Sequence, residues 1–299
     1  MQVIAKQIIK MYNKIEKTEI FMPELPEVET IKNMVAEVLN DAVVLDVEVK
    51  QRKFREQVPQ DFEKIFKGAK VVALRRIAKY MLAELDNGYT IIWHFGMSGK
   101  FKILKTVPDV LDKHDHIIIT TNKGVLVYND VRRFGLVTYC ESAKIKENHL
   151  ISKLGLDPWD ENLTAEYLLN KLQNKKLPIK ICLLDQEIIC GIGNIYASEI
   201  LYKARIMPDR TGNSISESEA EKIIFYTREI LQNAINAGGS TIHDFKTPDG
   251  DTGHFQDSLC VYGRTGKRCP DCVCDLKTGG IKKVVMGSRS TFYCEHLQK

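Results

Sequence analysis

MPELPEVETIKNMVAEVL, residues 22–39, reads as an amphipathic helix with a chemically unusual start. Pro26 suits a first helical turn, where its missing N–H would have had no partner in any case. Val28, Ile31, Met34, Val35 and Val38 recur at helical spacing and fall on one face. Glu24 and Glu27 lie near the N-terminus, where the helix dipole favours negative charge. Met22 followed by Pro23 is a typical context for initiator-methionine removal, which would expose Pro23 as a secondary amine. Such an amine titrates near about 7.7–8.0, against about 10.4 for lysine, so a usable fraction is unprotonated at neutral pH. Its attack on an aldehyde-like carbon gives an iminium ion, a ready electron sink, and Glu24 is placed to shuttle protons. On its own the string is weak evidence, since Pro-Glu pairs begin many ordinary helices.

Upstream, residues 1–21 are rich in lysine and isoleucine and look weakly helical; with no arginine they make a poor transit peptide. Downstream, from about 41 to 140, VVLDVEVK, VVALRRI, YMLAEL, TIIWHF, HIIIT, VLVYND and LVTYC follow one another as strands. Asn87-Gly88 and Asn122-Lys123-Gly124 mark turns between them. Several short strands behind one helix predict an antiparallel sandwich or barrel. After LGLDPW the period becomes helical, over 164–174, 178–186, 194–204 and 216–236, the last closed by Gly238-Gly239. The expected organisation is α+β: an extension (1–21), a helix with a β-sandwich (22–150), a helical unit (151–245) and a loop with a C-terminal hairpin (246–299).

Of 299 residues 44% are apolar and 27% charged, the balance of a globular protein. No apolar run approaches the roughly 20 residues of a membrane span, and the N-terminus lacks a secretory signal pattern. A cytoplasmic protein is expected. The net charge of +4 hides an asymmetry: residues 260–299 hold eight lysines and arginines against three acids. A basic tail on a nearly neutral body suits a polyanion such as nucleic acid, or is simply a solvated tail. Five of the eight cysteines (Cys260, Cys269, Cys272, Cys274 and Cys294) crowd into that tail, which reads as metal binding before disulfides. Cys140, Cys182 and Cys190 read as buried thiols.

MPELPEVET, RRIAKYML (75–82), HFGMSGKF (94–101), KHDH (113–116), YNDVRRFG (128–135), LLDQEIICGIGNIYASEIL (183–201), GGSTIHDF (238–245) and VYGRTGKRC (261–269) occur in one order. Together they resemble the formamidopyrimidine-DNA glycosylase family, bifunctional base-excision enzymes for oxidised purines. Leu25 favours this branch over the related endonuclease VIII, which usually opens Pro-Glu-Gly-Pro. The resemblance implies that Pro23 is the nucleophile on the deoxyribose C1′ and Glu24 the general acid/base. It places Lys79 on a phosphate beside the lesion and Lys180 near the damaged nucleotide. Met97, Arg132 and Phe134 match the family's filling triad, two wedges and a guanidinium that reads the opposite base. His94, Asn194, Tyr262, Arg264 and Arg289 fall in DNA-contacting blocks, Arg289 at the hairpin tip. The glycines of GIGN would let the backbone approach a phosphate at a helix N-terminus. The segment 240–255 corresponds to the loop that covers an extruded base. The implied partner is double-stranded DNA carrying oxidised bases, met by a monomer in a bacterial, nucleoid-associated setting.

Three departures matter. Val131 stands where this block usually has proline. The finger keeps Cys269, Cys272 and Cys294 but has Leu297 at the fourth cysteine position, so one zinc ion would need His296 or Cys274, or the finger would fold without metal. While residues 1–21 stay attached, the Pro23 nitrogen is a tertiary amide with no lone pair to attack with. Translation from Met22, removal of the extension, or loss of the chemistry are the three alternatives. The last would leave a non-catalytic damaged-DNA-binding protein, and a pyrimidine-lesion preference is the rival among enzymes.

Overall fold

In the computed structural model the described residues are 22–239, 255–273 and 279–299. The extension, most of the expected lesion-covering loop and Cys274 therefore lie outside them.

Helix α1 (Leu25–Leu39) carries Pro26 in its first turn, and the Glu27 carboxylate turns back to accept the Glu24 N–H at 3.0 Å. Its predicted face is buried at Val28, Ile31, Val35 and Val38, with Met34 half-buried at the edge. That face meets two four-stranded antiparallel sheets. One has the order β1 (Val44–Val49), β6 (Asp115–Thr121), β7 (Gly124–Asp130), β5 (Gly99–Leu104). The other runs β2 (Val71–Ile77), β3 (Tyr80–Leu85), β4 (Tyr89–His94), β8 (Leu136–Glu141). Trp93, Phe95, Phe101 and Tyr128 fill the space between the sheets as tilted and edge-on ring pairs. The short helix α2 (Phe62–Phe66) adds Phe62 and Phe66 to the same core.

Strand β5 lies outside the sequence expectation. Its residues, GKFKIL, alternate as a strand should, but two lysines interrupt the apolar signal, and only Phe101 is buried apart from Gly99.

The helical unit comprises α3 (Ala165–Leu172), α4 (Ile179–Leu184), α5 (Asn194–Ala204) and α6 (Glu217–Asn236). These agree with the predicted ranges to within a residue or two. Thr164 caps α3 by accepting the Tyr167 N–H, and Ser216 and Glu219 form a reciprocal capping box at the start of α6. Nine of the eleven residues of α5 are buried, so this helix is the axis of the unit rather than a surface helix. Beyond it a two-stranded hairpin, β9 (Lys282–Met286) and β10 (Arg289–Tyr293), is joined through Gly287-Ser288, both at positive φ. That is the turn geometry that matches strand twist, and it sets Arg289 beside the tip.

Leu25 belongs to the helical core, whereas Val28, less than one turn later, belongs to the sandwich core. Helix α1 thus crosses from one core to the other, and the residues just ahead of it, Pro23 and Glu24, stand where the two meet.

Candidate active site

Glu24 is buried and lies against the N-terminus of α5. Its Oε1 accepts the Ile195 N–H at 2.9 Å and its Oε2 the Tyr196 N–H at 3.4 Å. The approach is possible only because Gly193 has no side chain: a Cβ there would lie 2.2 Å from the Glu24 carboxyl carbon. Gly191, at φ +92°, makes the same kind of room for Leu25. The two glycines of GIGN therefore make room for Glu24 and Leu25, and the Ile195 and Tyr196 amides in the first turn of α5 are taken by the Glu24 carboxylate. Burial pushes the Glu24 carboxyl up to about 7, a rise opposed by Lys79 and the two amides and reinforced by Glu27. Near neutrality it is half protonated, the state a proton shuttle needs. Glu27 braces this arrangement through its bond to the Glu24 N–H and the Tyr196 hydroxyl it accepts at 2.7 Å.

A cavity of about 340 Å³ opens beside Glu24, lined also by Lys79, Met97, Asn194, Tyr262 and Arg289. Pro23, half-buried, stands between Met22 and Glu24, both of which line it. Lys79 sits in the β2–β3 turn and donates to the Ile192 carbonyl at 2.9 Å; burial lowers its pKa while Glu24 opposes the fall. His94, at the end of β4, also lines the cavity and accepts the Gly96 N–H on Nδ1 at 3.1 Å. Burial, reinforced by Arg55 and Lys79, brings it down to about 4, so it is neutral at physiological pH. A larger cavity of about 580 Å³ adjoins the first between Met97 and the 132–134 segment, with Lys53, Arg55 and Arg133 on its walls. The smaller one is bordered by the titratable groups Glu24, Lys79 and His94.

Lys180 stands one side chain back from the cleft, bonded to Asn194, which lines it. It has no exposed surface and does not line the cleft. Its ammonium donates to Asn194 Oδ1 at 2.5 Å, Thr291 Oγ1 at 2.8 Å and the Ser290 carbonyl at 3.3 Å. Burial, with Arg289 adding to it, lowers Lys180 to about 8. Asn194 in turn donates to Ser290 O at 2.9 Å and the Tyr262 hydroxyl at 3.3 Å. Lys180 and Asn194 therefore lock β10, and with it Arg289, onto α4 and α5. Arg264 is not brought into the cleft; its guanidinium turns to the Arg268 carbonyl.

Met97, Arg132 and Phe134 all line the larger cavity. Phe134 is 47% exposed, and the Arg132 guanidinium stacks on its ring at 4.8 Å. Val131 is exposed too.

In the tail, the sulfur atoms of Cys269, Cys272 and Cys294 lie within 4.8 Å of one another, a group that can hold a metal ion. Leu297 packs against the same cluster. His296 is exposed and is not part of the group, so the structure does not supply it as a fourth ligand; Cys274 lies outside the described residues. The tail has anchors that need no metal. Gln298 accepts the Cys294 N–H and donates to the Ile206 carbonyl, and Lys299 pairs with Arg205 and Met207.

Sequence reasoning missed Glu199, whose buried carboxylate accepts the N–H groups of Cys260, Val261 and Tyr262 and so fixes the start of the tail against α5. It also missed Gln186, which shares the Ile192 carbonyl with Lys79. Both act on backbone groups, which leave no residue-type signature. Only their places in LLDQ and YASE hinted at them.

Two family models match the chain: the formamidopyrimidine-DNA glycosylase N-terminal domain over residues 22–137 and the formamidopyrimidine-DNA glycosylase H2TH domain over 154–246. The formamidopyrimidine-DNA glycosylase of Rickettsia africae is 41% identical over 278 residues, which are 93% of this chain and 99% of that protein. A solved Lactococcus lactis Fpg bound to DNA containing an abasic site is 31% identical, with a TM-score of 0.84 over 93% of this chain and all of the other. The same protein with DNA containing Fapy-dG is 30% identical, with a TM-score of 0.83 over 92% of this chain and 100% of that one.

Proposed function

Since the chain belongs to the formamidopyrimidine-DNA glycosylase family, we propose that it excises oxidised purines, 8-oxoguanine and formamidopyrimidines, from duplex DNA and then cuts the strand at the resulting site. DNA glycosylase action in oxidised-base repair is the function of the family. The lesion range and the strand cleavage are the reading of this site.

The observation that carries it is the Glu24 carboxyl, held by two α5 amides at the mouth of a cleft, one residue from Pro23 and titrating near 7. With Pro23 as a free secondary amine, its nitrogen attacks C1′ and the bond to the damaged base breaks, the base leaving with the electron pair. Ring opening needs a proton on the sugar oxygen, which Glu24 is protonated often enough to give. The resulting iminium carbon draws electrons, so loss of a C2′ proton expels the 3′ phosphate (β-elimination). Loss of a C4′ proton then expels the 5′ phosphate (δ-elimination), and hydrolysis frees Pro23. Lys79, His94, Asn194 and Arg289 border the cleft where the phosphates flanking an everted nucleotide would run. Met97, Arg132 and Phe134 would fill the gap left in the stack. Lys180 acts as a positioning residue for Arg289.

Zinc is the metal proposed for the three thiolates, with a fourth position that no described residue fills. Zinc there would tie the finger together and take no part in the reaction. Among the described residues no helix is long and apolar enough to cross a membrane. A monomer acting on DNA in the bacterial cytoplasm, at the nucleoid, fits this reading.

A second reading is favoured by one chemical fact: any form that keeps residues 1–22 attached has Pro23 as a tertiary amide. Such a form would bind damaged DNA without the imine step. Single-turnover excision from matched duplexes bearing 8-oxoguanine, a formamidopyrimidine or an oxidised pyrimidine tests the lesion range. Faster release of the purine lesions is expected; a preference for the pyrimidine would move the chain to the endonuclease VIII type of specificity.

A further inference from the structure

The segments carrying Met97 and the Arg132–Phe134 pair come from different parts of the sandwich, yet they converge on one buried group. Asp130, at the end of β7, has no exposed surface. Its Oδ1 accepts the Ser98 hydroxyl, and its Oδ2 accepts the Gly135 N–H at 2.8 Å. The Ser98 oxygen in turn accepts the Arg132 N–H at 2.9 Å. One carboxylate thus ties down both ends of the 132–135 segment and, through Ser98, the turn that presents Met97.

Packing reinforces this junction. A Cβ on Gly96 would lie 2.3 Å from the Phe134 backbone, so the two turns touch main chain to main chain. The Tyr128 hydroxyl sits beneath both, leaving no room for a side chain on Gly99 or Gly135. On the other side the His116 ring reaches the Asp130 carbonyl at 3.0 Å. Above this buried floor the side chains stand out, Phe134 about half exposed and Arg132 stacked on it.

We propose that Asp130, acting with Ser98, is the positioning residue that makes Met97, Arg132 and Phe134 a single rigid wedge for displacing a base. The inference rests on the reading of these three side chains as the part that enters DNA. Unstacking a nucleotide costs a few kcal/mol. A wedge whose segments yielded separately would lose that work to its own deformation. A buried carboxylate with two donors resists it, because an unsatisfied buried carboxylate is costly.

The test uses the full chain and a duplex with a tetrahydrofuran abasic site and 2-aminopurine beside it on the same strand, whose fluorescence rises as insertion displaces it from its stacked neighbour. Asp130→Ala, Ser98→Ala and Phe134→Ala are compared at saturating protein. Binding to the same abasic site in a single strand, which needs no wedge, is measured alongside. Ser98→Ala, the variant least at risk of misfolding, is expected to slow base displacement about three- to tenfold, and Asp130→Ala more, with single-strand affinity kept within about twofold. If Phe134→Ala abolishes the signal while Ser98→Ala and Asp130→Ala keep it, the clamp is wrong and the wedge reading stands. If Phe134→Ala keeps the signal, the wedge reading itself fails and the clamp with it. Equal loss of duplex and single-strand binding in Ser98→Ala would make the contact merely structural and overturn the proposal.

Discussion

Around the start of α5, the polar atoms of Glu24, Lys180 and Asn194 are already bound within the protein, to amides, carbonyls and one another. In the adjoining cavity, Arg132 and Phe134 have their backbone fixed by Ser98 and Gly96 while the Phe134 ring stands about half exposed. The floor is finished before any partner arrives, and the rim offers apolar surface that only a partner would cover. The difference follows from what each must do. A buried charge without partners is expensive, so acid/base groups need a built environment, and the cost of desolvation is visible in the raised Glu24 carboxyl. A wedge must leave its own apolar surface uncovered until it meets a base stack.

The sharpest way to break this comparison is Glu24→Gln. As a proton shuttle its loss should slow single-turnover excision by about 10²–10⁴-fold while DNA affinity stays nearly constant. Equal losses in rate and affinity would reduce Glu24 to a structural cap of α5.

The same residue gives a pH test. A carboxyl raised from 4.5 to about 7 contributes stability that is complete below pH 4.5 and lost as pH rises through 7. For this buried group the loss is about 3 kcal/mol. Glu24→Gln has no charge to desolvate, so its stability relative to the parent should climb between pH 4.5 and 8. Denaturant melts at pH 5 and pH 8 measure this; a constant difference would mean the carboxyl is not desolvated.

Lys180→Met probes the link from floor to finger. Leaving Asn194 and Thr291 without their ammonium should cost about 1–3 kcal/mol and expose the amides of 289–293 to faster hydrogen exchange. Unchanged exchange in β10 would show that the finger is held without the Lys180 ammonium. The smallest expected effect belongs to Arg289→Ala. Loss of one phosphate contact should flatten the slope of log affinity against log salt by about 0.9, and an unchanged slope would remove Arg289 from the DNA interface.

Much of the frame was legible because it obeys periodicity. The buried face of α1 and the bounds of α5 follow from spacing and from glycine punctuation. Strand β5 was not, because Lys100 and Lys102 occupy its outward positions and weaken the apolar signal in so short a run. The site was legible as a set of residues but not as a geometry. Glu24 reaches amides 171 and 172 positions away, and nothing in GIGN says that its glycines make room for Glu24 and Leu25. Lys180 could not be told from a cleft lysine by sequence, since burial of its ammonium depends on Asn194 and on the hairpin arriving from residues 290–291. His296 has the right chemistry for a ligand at the wrong place: its exposed side chain stands apart from the three thiols.

Borohydride trapping on duplex DNA with an abasic site, followed by mass spectrometric mapping of the adduct, tests the central claim most directly. It should compare a chain beginning at Pro23 with one that keeps residues 1–22. The expected result is a covalent adduct on the Pro23 nitrogen in the first and none in the second. An adduct on Lys79 or another lysine, or no adduct from the chain that begins at Pro23, would contradict Pro23 as the nucleophile.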